Sequence, residues 1–184
     1  MQGLLEESLR AAPLVKRGEY NYFIHPITDG VPYLEPELLN DVTDRIMAVL
    51  DLDFDKILTI EAMGIHIGTA LALRTGKPLS IIRKRPYNLP NEVKVDQSTG
   101  YSKGELFLNG ISRGERLVII DDVISTGGTL KAVWTAVMSV GADIVDTVVV
   151  IERGEGAKLL QSAGLSLKTL VKIDVNADGV TIID

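Results

Sequence analysis

The chain contains no cysteine, which excludes disulfides and thiolate metal sites and fits a reducing compartment. Prolines number only 7, and no tract is of low enough complexity to stay unfolded. No apolar run approaches a membrane span. The start, with Glu6 and Glu7 close behind Leu4 and Leu5, lacks the basic-then-apolar order of a targeting segment. Positive charge is in deficit: the formal net charge is −6, and the longest basic cluster is Arg83-Lys84-Arg85. A surface of that sign repels a polyphosphate backbone, and neither a helix-turn-helix nor a basic face is present, so no nucleic acid is expected as a partner. No membrane is expected either, and the chain reads as soluble and cytoplasmic.

What is present suffices for one core. At 184 residues and 46% hydrophobic content, the chain is long enough for one α/β domain and too short for two ordinary ones, so a single domain is expected over residues 1–184. From residue 56 the pattern becomes regular, with strands over 56–60, 78–82, 116–120 and 144–151, and helices over 64–74 and 129–140. Leu117-Val118-Ile119-Ile120 and Val148-Val149-Val150-Ile151 are apolar without alternation, as strands covered on both faces are. Strands alternating with helices predict a mostly parallel central sheet flanked by helices, with ligands at the carboxyl ends of the strands.

The flanks are less regular. Helical spacing of leucines predicts helices near 2–11 and 36–50, and Tyr20 to Ile27 reads as a short strand that is not obviously core. A helix over 156–163, a strand over 167–173 and an Asp178-Gly179 turn into a strand over 180–183 close the chain. Between 84 and 104 prolines, asparagines and glycines with no periodic apolar pattern predict a long mobile loop. His66, among Ile65, Ile67 and Leu71, reads as a satisfied, partly buried histidine, and Trp134 reads as core.

One segment carries chemistry. Leu117-Val118-Ile119-Ile120-Asp121-Asp122-Val123-Ile124-Ser125-Thr126-Gly127-Gly128-Thr129 reads as a strand, two carboxylates, a turn of hydroxyls and glycines, and a helix start. Gly127 and Gly128 permit positive φ and close backbone approach, so successive N–H groups can converge on one anion. Ser125, Thr126 and Thr129 add hydroxyl donors, and the helix adds its positive end. Asp121 and Asp122 can accept hydrogen bonds from sugar hydroxyls or hold a divalent cation. A phosphate pocket beside two acceptors describes a ribose 5-phosphate cradle. The Gly-x-x-x-x-Gly-Lys-Ser/Thr and Gly-x-Gly-x-x-Gly phosphate motifs are absent.

That segment resembles the phosphoribosyl pyrophosphate signature of the type I phosphoribosyltransferases. Thr59-Ile60-Glu61-Ala62-Met63-Gly64 is similar to the family's pyrophosphate-binding loop, which often contains a non-proline cis peptide. Ile82-Arg83-Lys84 is similar to the basic strand end that reaches pyrophosphate, and Gly100-Tyr101-Ser102-Lys103-Gly104-Glu105 to the far end of the mobile lid. Tyr20-Asn21-Tyr22-Phe23-Ile24-His25-Pro26-Ile27-Thr28-Asp29-Gly30 resembles the N-terminal region of the archaeal hypoxanthine/guanine enzymes. Two departures stand out. Ile24 replaces an arginine of the adenine enzymes, and Ser125 replaces an aspartate of the mammalian-type hypoxanthine/guanine enzymes.

The resemblance implies the type I phosphoribosyltransferase fold, with a small hood from residues 1–35 and 154–184 and a lid over 84–104. It implies transfer of ribose 5-phosphate from phosphoribosyl pyrophosphate to hypoxanthine or guanine. The alternatives are adenine or xanthine as acceptor, or a non-catalytic sensor of phosphoribosyl pyrophosphate or a nucleotide. The implied 5′-phosphate and ribose site is Asp121, Asp122, Val123, Ile124, Ser125, Thr126, Gly127, Gly128 and Thr129. Pyrophosphate falls to Glu61, Ala62, Met63, Gly64, Arg83 and Lys84, and catalysis to Asp121, Asp122 and Glu105. For the base, Arg153 lies just past a strand end where a cation can donate to a 6-oxo group, and Phe23 can stack. Mg²⁺ is the expected cofactor, its ligands left open with Asp121 and Asp122 as candidates acting through water, and a homodimer is the expected assembly.

Overall fold

A computed structural model describes residues 3–18, 20–98 and 103–183. Its elements are α1 (Leu4–Arg10), β1 (Leu14–Arg17), β2 (Tyr20–Phe23), α2 (Pro26–Asp29), α3 (Pro36–Val49), β3 (Lys56–Ile60), α4 (Gly64–Thr75) and β4 (Leu79–Ile82). There follow β5 (Val93–Ser98), β6 (Lys103–Leu108), β7 (Arg116–Ile124), α5 (Gly128–Val140), β8 (Asp143–Arg153), α6 (Gly156–Ser162), β9 (Lys168–Val175) and β10 (Val180–Ile183).

Among the described residues the central sheet runs β10-β9-β8-β7-β3-β4. All neighbours pair in parallel except β9 and β10, which form an antiparallel hairpin. The apolar run in β7 explains its central place, because it is buried on both faces. Val118 and Ile120 join a core with Leu9 of α1, Ile46 of α3 and Ile67 of α4. Leu117 and Ile119 join a second core with Val133 and Val137 of α5 and Leu106 and Leu108 of β6. Burying each such side chain contributes roughly 1.5–3 kcal/mol, so the two cores together fix both the strand order and its register.

This order places the site. From β3 the chain passes through α4 to β4 on one side; it then returns to β7 on the other side of β3 and continues outward to β8. β3 and β7 are therefore neighbours whose connections leave in opposite directions. Their carboxyl ends flank an open crevice, the usual ligand position in such sheets.

Two expectations are corrected. The stretch after residue 84 is not without regular structure: β5 and β6 pair antiparallel from Val93↔Leu108 to Ser98↔Lys103. Val95, Leu106 and Leu108 are buried against α5, but β5 offers only Val93 and Val95 as an alternation, too short to register as a period. Ahead of it the Glu92 carboxylate accepts from the Tyr87 and Asn88 amides and from Asn109 Nδ2, pinning the turn. Thr99, Gly100, Tyr101 and Ser102, where the far end of a lid was expected, lie outside the described residues.

Second, the strand expected over 20–27 stops at Phe23, and Phe23, His25 and Ile27 are buried. His25 caps α2, its Nδ1 accepting from the Ile27 amide at 3.2 Å, and Pro26 fits the first helical turn. β2 pairs with β1, a strand that the sequence does not announce.

Candidate active site

β7 continues to Ile124, so Asp121 and Asp122 lie within the strand and not past its end. The chain then turns through Ser125 and Thr126 to Gly127, whose φ of 78° is a left-handed conformation that favours glycine, and α5 begins at Gly128. A hollow of about 180 Å³ opens above this turn, lined by its residues together with Val123, Leu130 and Val149. Backbone amides at a 13-residue helix's start, two glycines and flanking hydroxyls make it suited to a single phosphate.

The turn rests on a glycine that motif reading overlooks. The Gly156 amide donates to the Ser125 carbonyl at 2.9 Å. A Cβ on Gly156 would lie 2.3 Å from that oxygen and 2.7 Å from the Gly127 nitrogen, so the start of α6 packs on the turn's backbone with no room for a side chain. The only sequence signal was the Gly154-Glu155-Gly156 pair after β8, which has no period and no motif.

Beside the hollow lies a larger cleft of about 500 Å³. The loop after β3 contributes Glu61, Ala62 and Met63, β4 leads in Lys84, β6 contributes Glu105, and Asp121, Asp122 and Thr129 form the far wall. The Glu61–Ala62 peptide is cis, as the resemblance implies. Gly64 starts α4 against β7: a Cβ there would lie 3.2 Å from both Asp121 Oδ1 and the Ile120 carbonyl. Arg83 Nε donates to Glu61 Oε2 at 2.7 Å, and the Lys84 amide donates to the same oxygen at 3.0 Å. These bonds hold the Glu61 carboxyl below the usual carboxylate range.

The acids of β7 behave in the opposite way. Burial, and then the charge of Asp122, push Asp121 well above an ordinary aspartate. Burial also raises Asp122 to about 6, against hydrogen bonds from Asp121 and the backbone and with help from the charge of Asp29. Two desolvated carboxyl groups side by side call for donors or a cation. Among the described residues no three carboxylates or imidazoles could hold a metal ion by themselves. Asp121 and Asp122 therefore fit a hard cation only where ligand oxygens and water complete its shell. Glu105, exposed at the cleft edge, is ion-paired with Lys94 at 2.5 Å.

The hood candidates lie apart. Phe23 is 4% exposed, packed in the core, with its ring stacked 6.2 Å from that of Tyr22. Arg153 Nη2 donates to the Asn21 carbonyl at 3.1 Å, and its guanidinium lies 4.2 Å from the centre of the Tyr20 ring. Neither residue lines the cleft or the hollow, and Arg83 does not either. His66 is half-buried, as expected, and burial lowers its pKa against a hydrogen bond with the Ile27 backbone, while its Nε2 meets no partner within hydrogen-bond distance. Trp134 packs against the second core with its Nε1 donating to Thr147 at 3.0 Å.

Comparison with known proteins accords with this geometry. Residues 35–182 match the model of the phosphoribosyl transferase domain. Over its whole length the chain is 54% identical to the hypoxanthine/guanine phosphoribosyltransferase of Methanohalophilus mahii, covering 97% of that protein. The protein of the same name from Methanococcus maripaludis is 55% identical, with both chains covered completely. Among solved structures, the adenine phosphoribosyltransferase of Thermoanaerobacter pseudethanolicus superposes with a TM-score of 0.76 at 26% identity, over 91% of this chain and 99% of that one. With its parallel sheet, its phosphate turn after β7 and relatives matched from end to end, the chain belongs to the type I phosphoribosyltransferase family.

Proposed function

We propose that this protein transfers ribose 5-phosphate from phosphoribosyl pyrophosphate to hypoxanthine or guanine, giving IMP or GMP and pyrophosphate. The observation that carries the reading is convergence: the loops after β3, β4 and β7 meet in one cleft where an amide-lined turn adjoins two acids. Relatives named for hypoxanthine and guanine at 52–58% identity support the choice of base.

In this reading the amides and hydroxyls of Ser125–Thr129 hold the 5′-phosphate, and Asp121 and Asp122 accept from the ribose hydroxyls. A purine ring nitrogen attacks the anomeric carbon as the bond to pyrophosphate breaks. The protein holds the partners in line and meets the charge on the leaving group, with Glu61, Ala62 and Met63 forming the loop around it, Gly64 starting α4 behind that loop, and Lys84 at the end of β4. Asp121 and Asp122 would help to hold a Mg²⁺ ion, which would supply charge compensation to the diphosphate. Glu105 takes the proton that the purine nitrogen loses, since Ser125 cannot serve as a base. Arg153 and Phe23 belong to the hood that receives the base, and the protein works as a cytoplasmic homodimer. No helix among the described residues is long and apolar enough to cross a membrane.

The test is a panel of hypoxanthine, guanine, xanthine and adenine with phosphoribosyl pyrophosphate, read by pyrophosphate release. Turnover with the first two is expected; turnover with adenine alone sinks the choice of base, and turnover with none sinks the enzyme.

A further inference from the structure

We infer that Arg83 is a positioning residue, which ties the loop after β3 to the root of the β5–β6 hairpin, and that Lys84 is the cation facing the departing pyrophosphate. The inference rests on the function proposed above and divides the labour between two adjacent basic residues that the sequence treats as equivalent.

Arg83 sits where three pieces of the molecule meet. Its backbone bridges to β6, the Arg83 amide donating to the Phe107 carbonyl at 3.0 Å and the Phe107 amide donating to the Arg83 carbonyl at 2.7 Å. Its side chain reaches the other way, from Nε to Glu61 Oε2 at 2.7 Å. The Lys84 amide donates to the same oxygen, so one carboxylate fastens the pyrophosphate loop to the end of β4 by two bonds. The guanidinium lies 5.8 Å from the centre of the Tyr87 ring, which Arg85 also approaches at 5.4 Å.

Charge and position then separate the two basic residues. A guanidinium hydrogen-bonded to a carboxylate has spent most of its attraction on that partner. Turning it toward a diphosphate would leave the Glu61 carboxylate facing an anion with one donor fewer. Arg83 also stays out of the cleft lining, whereas Lys84 is part of it. The Arg83–Glu61 pair is one-quarter to one-third exposed, so it adds little to stability. What it sets is the place of the loop's backbone relative to β4 and the hairpin.

A double-mutant cycle tests this on the full-length protein, with Mg²⁺, phosphoribosyl pyrophosphate and hypoxanthine. Glu61→Ala and Arg83→Met are each expected to raise KM for phosphoribosyl pyrophosphate about tenfold, with kcat and KM for hypoxanthine changed less than about twofold. The double variant should be no worse than the weaker single one, and Glu61→Gln, which still offers an oxygen to both donors, should recover most of the loss. Lys84→Met should raise the same KM and weaken product inhibition by pyrophosphate, independently of Glu61. Additive effects, or a Glu61→Ala variant that binds phosphoribosyl pyrophosphate as well as or better than wild type, would show Arg83 to be a direct ligand and overturn the inference. A wild-type protein inactive with every purine would instead sink the proposed function, so the two failures are distinct. Thermal midpoints of the variants, expected within a few degrees of wild type, separate either result from misfolding.

Discussion

The phosphate turn and the N-terminal hairpin, where the hood is expected, are held by different means. At the phosphate turn the geometry comes from backbone: a glycine in a left-handed conformation, a helix start, and a second glycine seated on the Ser125 carbonyl. At the hairpin it comes from side chains reaching over long sequence distances, such as Arg153 on the Asn21 carbonyl, 132 residues away. A site made of amides is fixed once β7, α5 and α6 pack, and no proton or rotamer can undo it. A site made of side-chain contacts can be retuned by single substitutions and responds to pH. Substitutions should therefore act as a switch at the turn and as a dial at the hairpin.

The largest effect is expected where the turn meets the acids. Asp121→Asn combined with Asp122→Asn should lower kcat/KM by on the order of a hundredfold or more, as loss of charge stabilisation at a reacting centre does. The thermal midpoint at pH 7 should not fall with it. Burial raises both carboxyl pKa values above those of the unfolded chain, so each group favours folding below the unfolded value and loses that advantage as pH climbs through the folded one, about 6 for Asp122. A double variant that kept wild-type turnover would break the comparison outright. A smaller effect comes from Gly156→Ala. Its methyl would press on the Ser125 carbonyl, and overpacking of about 1–3 kcal/mol should appear as roughly a tenfold rise in KM for phosphoribosyl pyrophosphate, with KM for the purine unchanged.

The same contrast decides what the sequence discloses. The sheet, its central strand and the phosphate turn are legible because their causes are local: an apolar run covered on both faces, glycines where the backbone must turn, a helix period behind. Even there Asp121 and Asp122 read as the end of β7 when the strand continues to Ile124, because two carboxylates look like a boundary until β8 is present to pair with them. Met63 and Lys84 could be brought together only by resemblance, since nothing in their spacing says that the ends of β3 and β4 share a wall. The hood was the least legible. β1 is four residues long, and its reason for being a strand is its partner β2. Gly156 is invisible for a related cause: its constraint is contact with a turn some 30 residues earlier in the chain.

The hood should respond in smaller steps. Arg153→Met removes one hydrogen bond to Asn21 and the contact with the Tyr20 ring, interactions of about 1 kcal/mol each, and should raise KM for the purine several-fold while sparing KM for phosphoribosyl pyrophosphate. Arg153→Lys sharpens the result. A lysine keeps the charge but cannot stack as a planar group, so failure to restore the purine KM would assign Arg153 to holding the β1–β2 hairpin, and restoration would assign it to the base.

The smallest effect, and the one most specific to the side-chain contacts, belongs to His25. Its Nδ1 accepts from the Ile27 amide, which assigns the ring proton to Nε2, 2.9 Å from Ser8 Oγ; that hydroxyl in turn donates to the Leu5 carbonyl. The ring is fully buried, and burial lowers its pKa to about 4, opposed by the nearby charge of Asp29. An unfolded histidine titrates near 6.5, so between about 6.5 and 4 the unfolded chain takes up a proton that the folded one refuses. Stability attributable to this residue is present above that window and drains away as pH falls through it. His25→Asn keeps an oxygen for the Ile27 amide but removes the titration and the bond to Ser8. It should cost about 1 kcal/mol at pH 7, measured by denaturant unfolding, and that deficit should shrink as pH is lowered to 4.5. Parallel curves for the two proteins would mean that His25 takes up its proton as readily in the folded state as in the unfolded one, and that its burial does not make the hairpin sensitive to pH.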